Sequence, residues 1–487
     1  MKYEVVIGLE IHLELQTQSK LFCGCSTAFG REPNTNCCPL CLGLPGSLPV
    51  FNRKAIELAV TAALALNSSI QLKSRFDRKN YFYPDLPKAY QVSQYDQPLA
   101  RGGCLEIEFE GSRKHVNLER IHLEEEAGKL IHAGDSILGA DYTLVDYNRA
   151  GIPLLEIVTT PELCSGREAR LFLEDLRLVL LYCGVSDCKM EEGSLRCDAN
   201  ISLRSTGSRE LGTKAEVKNM NSFRSVEQAL DYEAERQEAI LSAGDSVIQE
   251  TCHWDEEKKV TVPLRGKEGS SDYRYFPEPD LLPLVLQSSF VESLAAALPE
   301  LPYERRLRLQ EQYQLAKKEA FLLTENRELG DFFESVARQY EDYRSLINWV
   351  QGDLLYQLHE SGKHAKEIEP RLLIELLLLV DKGIINRPVA KDLLTEMIKT
   401  GESPQKMVQE RGIEQISGRD KLLPIVEQVV NENPEAVKNF HRGKKKALAF
   451  LVGKVMASTG GRADPNELNQ LLKEKLIKKR TGGRMKD

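Results

Sequence analysis

The fold is decided near the start of the chain by the stretch VVIGLEIHLEL, residues 5–15. Its odd positions are all apolar, whereas its even positions include Glu10, His12 and Glu14. Side chains of a β-strand point alternately to two faces, so this period predicts a strand with one apolar face. The other face carries two carboxylates and an imidazole, a set that could hold a cation.

Three further segments alternate in the same way, namely 152–158, 195–203 and 213–218. Their polar positions are occupied by Glu156, Arg196, Asp198, Asn200, Ser202, Lys214, Glu216 and Lys218. The run 120–126 adds carboxylates near a predicted strand end. A sheet that packs one face against the core and exposes the other to water would show this pattern even if it had no catalytic or binding role.

The second interpretation is a concave acidic site. His12, Asp198 and Asn200 lie among glycines and turns that would bring strand ends together. Clustered carboxylates repel one another unless a cation neutralises them. Mg²⁺ prefers carboxylate, water and phosphate oxygens, so it suits this set better than Zn²⁺. The joint pattern favours this second interpretation.

Cysteines follow the first predicted strand at two short spacings, as Cys23 with Cys25 and Cys38 with Cys41. Tetrahedral zinc takes four thiolates from two tight turns joined by a loop, so the spacing predicts a structural zinc site. Cys37 could replace Cys38, although the two-residue gap between Cys38 and Cys41 is the commoner spacing. A set of reduced, buried thiols is the alternative interpretation.

The chain has 487 residues, too many for one hydrophobic core, so about two to four domains are expected. Short alternating segments end near residue 293, and helical spacing over 303–322 and 370–381 follows. The sequence Thr-Gly-Glu-Ser-Pro at 400–404 interrupts the helices. We therefore predict an α+β fold, with a β-sheet domain over 1–293, a helical domain over 294–404 and a small helical tail over 405–487.

The net charge of −8 argues against nucleic-acid binding by the whole surface. Any RNA contact must come from local basic patches at 441–446 and 478–486, which solvated helix ends would explain equally well. The longest aliphatic run, 372–380, is far shorter than the ~20 residues of a membrane span. An odd number of cysteines, 11, favours reduced thiols. We predict a cytoplasmic protein without membrane contact.

Familiar nucleotide and hydrolase motifs are missing from the sequence. There is no Gly-x-x-x-x-Gly-Lys-Ser/Thr loop and no Gly-x-Gly-x-x-Gly turn. There is also no Gly-x-Ser-x-Gly or His-Glu-x-x-His motif. If the chain uses ATP, the phosphates should be held through a metal on the polar face of the sheet.

Several long strings are distinctive. They are GLEIHLEL at 8–15, CCPLCLGLPG at 37–46, FDRKNYFYPDLPK at 76–88, EEGSLRCD at 191–198, EVKNMNSFR at 216–224 and DYRYFPEPDL at 272–281. Together with Cys23-Gly-Cys25 they resemble the B-subunit family of the glutamyl/aspartyl-tRNA amidotransferase. The resemblance covers nearly the whole chain and is looser in the tail.

This resemblance implies one subunit of an ATP-dependent amidotransferase. It would phosphorylate the side-chain carboxylate of misacylated Glu-tRNA(Gln) or Asp-tRNA(Asn) with ATP and Mg²⁺, and ammonia would displace the phosphate. The implied partners are tRNA, an amidase-type glutaminase that releases ammonia from glutamine, and a small third protein that completes a heterotrimer. The implied fold is a cradle-shaped first domain, a helical middle domain and a tail that touches tRNA.

Residue roles follow from the resemblance and from charge, because phosphoryl transfer to a carboxylate brings two anions together. The expected magnesium ligands are Glu10, His12, Glu125 and Glu216. Lys79 and Lys218 are expected to steady phosphate. Asp198, Glu191 and Glu192 are weaker candidates for holding a second metal or accepting a proton from ammonia. The expected tRNA contacts are Lys444, Lys445 and Lys446.

Two other function classes stay open on the sequence. One is a zinc-stabilised RNA-binding factor without catalysis, in which the face of Glu10 and His12 would be a wet sheet surface. The other is a self-contained ATP-dependent ligase for a small carboxylate, which would hydrolyse ATP with that acid and without tRNA.

Overall fold

A computed structural model describes residues 2–133, 141–264, 273–412, 416, 418–442, 444, 446–459 and 462–481, without the side chains of 478–481. The chain divides into two compact units, Met1–Pro302 and Tyr303–Asp487. The first unit is built on a large sheet, and the described part of the second is helical. The predicted α+β class is therefore confirmed.

The strands of the first unit are β1 (Tyr3–Glu14), β2 (Ser69–Ile70), β3 (Lys73–Ser74), β4 (Asp77–Asn80), β5 (Tyr90–Ser93), β6 (Ala100–Arg101), β7 (Cys104–Phe109), β8 (Ser112–Glu125), β9 (Lys129–His132), β10 (Thr143–Asp146), β11 (Pro153–Thr159), β12 (Leu195–Ser205), β13 (Ala215–Lys218), β14 (Glu250–Asp255), β15 (Val260–Pro263), β16 (Phe276–Pro277) and β17 (Leu284–Val285). Its helices are α1 (Arg53–Ala65), α2 (Gly166–Tyr182), α3 (Phe223–Ser242) and α4 (Ser288–Ala296).

The strand predicted from residues 5–15 is β1, and it lies inside a 10-stranded sheet. The strand order is β15-β14-β13-β12-β1-β11-β8-β6-β2, with β7 paired to β8. β1 pairs antiparallel with β11 on one edge and with β12 on the other. Because both edges are paired, the backbone groups of β1 bond within the sheet, and its side chains point alternately to the two faces.

One side of the sheet is the hydrophobic core. The odd residues Ile7, Leu9 and Ile11 are 0% exposed and belong to one cluster with Phe172 of α2 and Val226 of α3. Burying each such side chain contributes about 1.5–3 kcal/mol. The cluster thus fixes the register, since a slip of one residue would turn the charged even positions into the core.

The second unit contains α5 (Pro302–Tyr313), α6 (Lys317–Glu325), α7 (Arg327–Ala337), α8 (Tyr343–Asn348), a π-helical turn (Trp349–Leu354), α9 (Leu355–Ser361), a 3-10 turn (Ala365–Glu367), α10 (Pro370–Asp381), α11 (Arg387–Thr400), α12 (Pro404–Arg411), α13 (Arg419–Glu432), α14 (Pro434–His441), α15 (Lys446–Ser458) and α16 (Pro465–Thr481). The apolar spacing over 303–322 belongs to two helices, because the chain breaks at Gln314, whose φ is 53°. No helix among the described residues is long and apolar enough to span a bilayer.

The described helices of the second unit bury two separate hydrophobic clusters. One runs in sequence from Leu309 to Val408 and the other from Leu422 to Leu476. The predicted interruption at 400–404 falls where α11 ends and α12 begins, with Gly401 at φ 74°. The predicted boundary at 293 falls inside α4. The division into three domains stays a prediction.

Candidate functional site

The polar face of the sheet is organised by strand pairing. Direct partners across β8, β11, β1 and β12 form one row of His122, Glu156, His12 and Arg196. The next row along the strands is Arg120, Val158, Glu10 and Asp198. Residues far apart in sequence therefore become neighbours through antiparallel register alone.

Except for Val158, the residues of these rows line a cavity of about 500 Å³. Tyrosines and a lysine from other segments close around it, namely Lys79, Tyr81, Tyr95, Tyr273 and Tyr275. The Lys79 ammonium lies 5.1 Å from the centre of the Tyr273 ring, and the rings of Tyr95 and Tyr275 stack at 4.1 Å. The cavity therefore has a mainly polar lining, with tyrosine rings along one side.

His12 stands between two carboxylates. Its Nε2 lies 3.4 Å from Glu156 and 3.6 Å from Glu124, and one ligand atom from each of the three lies within 4.8 Å of the others. Burial disfavours the charged ring, but the hydrogen bond to Glu156 and the charge of Glu124 outweigh it and raise the pKa of His12. The three ligand atoms lie close enough together to hold one metal ion.

Glu156 is shared by a second imidazole. His122 Nε2 lies 3.3 Å from the same carboxylate oxygen and is 4% exposed. Burial would raise the pKa of Glu156, but the neighbouring His122 and His12 hold it well below its usual value. An ionised carboxylate at the centre of the face is what a cation site needs.

A second charged group lies on β12 and β13. Lys218 donates to Asp198 at 2.6 Å and lies 2.9 Å from Glu216. Burial opposes the ammonium, yet the two carboxylates raise the pKa of Lys218. Glu216 also accepts from Thr251 at 2.9 Å, and Glu10 accepts from Asn200 at 3.0 Å.

Six of the seven predicted catalytic residues line the cavity, and these are Glu10, His12, Lys79, Asp198, Glu216 and Lys218. Glu125 does not. It lies on the opposite side of β8, where it accepts from the Lys88 ammonium and from the Val92 N–H at 2.9 Å. Its neighbour Glu124 takes the place facing His12, because consecutive strand residues point to opposite faces. Glu191 and Glu192 are also absent from the described lining, and Glu192 pairs with Lys189 at 2.8 Å.

Sequence reasoning did not single out His122, Glu124, Arg149 or Arg196 as site residues. For His122 and Glu124 a signal existed, since they share the period of β8 with Arg120. Arg149 lies in the turn after β10, where no periodicity marks a functional side chain. It reaches the cavity by packing along the carbonyls of Ala127 and Gly128, at 3.4 and 3.5 Å.

The four cysteines Cys23, Cys25, Cys38 and Cys41 converge. Their sulfur atoms lie within 4.8 Å of one another, and no disulfide joins these four cysteines. A hydrogen bond from Cys23 lowers the pKa of Cys41, which favours a thiolate there. The prediction of a four-cysteine cluster suited to zinc is confirmed at the level of its ligands, with Cys38 rather than Cys37 in the set.

The predicted tRNA contacts lie in the second unit. Lys444 and Lys446 line a cavity of about 520 Å³ together with Asn433, Asn439 and Phe450. Lys445 lies outside the described residues, as do the side chains of 478–487. Phe450 is 49% exposed, so an aromatic face accompanies the two cations.

Comparison with known proteins places both units in one family. The family model of the GatB/GatE catalytic domain matches residues 5–292, and that of the GatB domain matches residues 331–476. A relative from Carboxydothermus hydrogenoformans is 51% identical over 98% of this chain and 99% of its own length. One from Caldanaerobacter subterraneus is 52% identical over 98% of this chain and 100% of its own.

Both relatives are named as the B subunit of an aspartyl/glutamyl-tRNA(Asn/Gln) amidotransferase, as is one from Moorella thermoacetica that is 52% identical over 98% of this chain and 100% of its own length. The cavity thus belongs to a catalytic domain of the GatB/GatE type. The chain belongs to the family of aspartyl/glutamyl-tRNA(Asn/Gln) amidotransferase B subunits. The resemblance and the enzyme class predicted from the sequence strings are confirmed.

Proposed function

We propose that this chain phosphorylates the side-chain carboxylate of Glu-tRNA(Gln), Asp-tRNA(Asn) or both with ATP, and then lets ammonia displace the phosphate. The products are Gln-tRNA(Gln) and Asn-tRNA(Asn). The observation that carries the proposal is the cavity on the sheet face, where cations and carboxylates alternate in a chain of this family.

The first step needs cations, because the γ-phosphate and the acceptor carboxylate are both anions. Five lining residues are cationic, namely Lys79, Arg120, Arg149, Arg196 and Lys218. Arg196 is held by Glu126 and Lys218 by Asp198, so both charges are fixed in place before substrate arrives. Lys79, stacked on Tyr273, is the candidate for direct phosphate contact.

The donor set also fits Mg²⁺. His12, Glu124 and Glu156 would hold it, with Glu216 as a further oxygen donor lining the same cavity. When bound, the ion would neutralise charge on the transferred phosphate. The clustered carboxylates of the face give the physical reason for a cation, since they repel one another without one.

The second step releases phosphate from the acyl phosphate as ammonia attacks the carbonyl carbon, and the nitrogen then loses a proton. Carboxylates at the cavity are the available acceptors. Glu10 and Asp198 lie opposite each other on β1 and β12. Asp198 is engaged by Lys218, and Glu10 is bound by the neutral Asn200 amide, so Glu10 is the freer base.

The proposal includes partners and a structural metal. Ammonia would come from a glutamine-hydrolysing partner protein of the amidase type, with a small third protein joining the two chains in a heterotrimer. The cysteine cluster would hold Zn²⁺, and Lys444 with Lys446 would contact the tRNA backbone. Two cations at the edge of a cavity that also presents Phe450 support an RNA contact of this kind.

The test is amidation by the assembled complex with ATP, Mg²⁺, ammonium and either Glu-tRNA or Asp-tRNA. Ammonium makes the assay independent of glutamine hydrolysis. Wild type should form glutaminyl- or asparaginyl-tRNA, and Glu156→Gln should lose at least about 100-fold in rate. The matched control Glu238→Gln, on the exposed side of α3, should keep full activity.

Two outcomes would overturn the proposal. Full amidation by Glu156→Gln would show that the carboxylates of this face are not needed for the reaction. ADP formation with free glutamate or aspartate and no tRNA would instead identify a ligase for a small carboxylate.

The tail contact has its own test. Replacing Lys444 and Lys446 together by Ala should raise KM for aminoacyl-tRNA several-fold, with kcat at saturating tRNA little changed, because phosphate contacts position the substrate. The control is Lys421→Ala on the exposed side of α13. An equal KM in the double variant and in wild type would place the tRNA elsewhere.

A further inference from the structure

Lys20 is an unusual residue, because its side chain is 0% exposed and ranks among the largest fully buried side chains of the described chain. Lysine is almost never fully buried unless its charge is compensated. Its ammonium lies 3.7 Å from the Cys41 sulfur and donates to the Tyr147 carbonyl oxygen at 3.2 Å. Within the described residues no carboxylate forms an ion pair with it.

The cysteine cluster is in position to supply a counter-charge, because the Cys41 sulfur is in contact with the ammonium. Four thiolates around one divalent cation leave a net negative charge, and groups next to the ligands tune how strongly a metal is held. An ammonium in contact with one ligand sulfur, shielded from water, would act at short range and low dielectric.

The other end of the contact leads toward the reaction cavity. Tyr147 lies two residues before Arg149, which lines the cavity. Within the same turn the Ala150 N–H donates to the Tyr147 carbonyl oxygen at 3.1 Å, so Lys20 and the turn share this acceptor. Gly151, at φ 87°, comes close enough that an added Cβ would lie 3.6 Å from both Cys41 and Lys20.

The loop between the two cysteine pairs docks on this same segment. Asn34 donates its backbone N–H to Asp146 at 3.0 Å and accepts from the Tyr147 N–H at 2.8 Å. Asn148 accepts from the Asn36 N–H at 2.7 Å and donates to the Glu32 carbonyl at 2.7 Å. Closing the loop at its cysteines therefore holds the segment that carries Arg149.

We propose that Lys20 is a positioning residue that neutralises the metal-bound cysteine cluster and, through the Tyr147 carbonyl, fixes the turn that presents Arg149 to the cavity. The proposal rests on the proposed function only for its second half. The cysteine cluster would then do more than stabilise the first unit, because zinc binding would also set the position of Arg149 in the cavity.

The first measurement is zinc retention by the purified full chain during titration with a chelator. Lys20→Met removes the charge at similar volume, and its apparent Zn²⁺ affinity should fall by about 10- to 100-fold. Lys20→Arg should hold zinc more tightly than Lys20→Met, and the exposed control Lys54→Met should match wild type. Unchanged zinc affinity in Lys20→Met, or equal losses in Lys20→Met and Lys20→Arg, would overturn the charge role.

If Lys20→Met lowers stability, a second comparison separates charge from packing. It measures the effect of Lys20→Met on the unfolding midpoint in a Cys41→Ser background. In that background the ammonium has lost its thiolate partner. Adding Lys20→Met should therefore raise the unfolding midpoint, because it removes a buried unpaired ammonium. The same loss of stability in both backgrounds would show that Lys20 acts by packing alone.

The link to Arg149 is tested by amidation in the assembled, zinc-loaded complex. Lys20→Met should lower the rate several-fold, and the same change should have little further effect in an Arg149→Met background. Independent, multiplicative effects would overturn the coupling. If wild type does not amidate tRNA at all, the proposed function fails, while the zinc titration still decides whether Lys20 serves the cysteine cluster.

Discussion

The apolar face and the cavity face of the large sheet come from alternate residues of the same strands. Ile11 is 0% exposed within the core cluster, and the next residue, His12, lies between Glu156 and Glu124. The core face gains free energy from burial. The cavity face instead gathers carboxylates and cations, whose removal from water costs free energy that their pairing offsets only in part. The same backbone thus stabilises the fold on one side and holds a reactive arrangement on the other.

The largest expected effect separates the two faces at adjacent positions of β1. Ile11→Ala leaves a cavity in the core and should lower the free energy of unfolding by about 2–5 kcal/mol. His12→Asn should change it by about 1 kcal/mol or less, while amidation falls at least about 100-fold. Urea unfolding and the ammonium-dependent assay measure both. Equal stability losses would mean that the cavity face also supports the fold.

A second pair of neighbours applies the same comparison to β8. Glu125→Gln leaves the Lys88 ammonium without its carboxylate and should cost about 1–3 kcal/mol of stability. Glu124→Gln should cost less and should reduce amidation more, because Glu124 faces His12. Thermal unfolding and amidation rates of the two variants test the assignment. A reversed order would exchange the roles of the two glutamates.

Magnesium should stabilise the protein by binding to the cavity face of the sheet. Adding Mg²⁺ to the full chain should raise its unfolding midpoint, since an ion that binds only the folded state adds about 2.7 kcal/mol at 100 times its dissociation constant. Glu156→Gln should lose most of this increase, whereas Glu238→Gln should keep it. A midpoint shift that persists in Glu156→Gln would locate the ion away from the trio of His12, Glu124 and Glu156.

The smallest effect concerns the ion pairs of Lys218, measured without Mg²⁺. Burial opposes ionisation, but Lys218 lowers the pKa of Glu216 from 4.5, and that stabilisation is lost as pH falls through the folded value. Burial likewise opposes the ammonium, but Asp198 and Glu216 raise the pKa of Lys218 from 10.5, a contribution lost only above its folded value. Lys218→Met should therefore be about 1 kcal/mol less stable between about pH 5 and pH 10.

Below about pH 4 that difference should shrink, because the carboxylates become protonated and no longer need the ammonium. Stability curves of wild type and Lys218→Met across this range give the comparison. A deficit that is constant down to about pH 3 would show that the aliphatic part of Lys218, and not its charge, is what matters.

Local patterns of residues predict the strand period, the helical half and the two cysteine pairs. Each is a local pattern, in which the residue types and their spacing already fix which side chains share a face or a turn. The position of β1 with Glu10 and His12 on one face was readable for this reason. So was the break after Thr400, where a glycine and a proline end one helix and start the next.

Which charged side chains come into contact depends on the tertiary structure. Glu124 shares the period of Arg120 along β8, but the pairing of β8 with β11 brings it to His12, and the distant Lys88 is what binds Glu125 on the opposite side. Arg149 and Lys20 carry no periodic signal, and their partners lie across long stretches of chain. Contacts between distant segments depend on register and loop closure, which spacing along one segment does not encode.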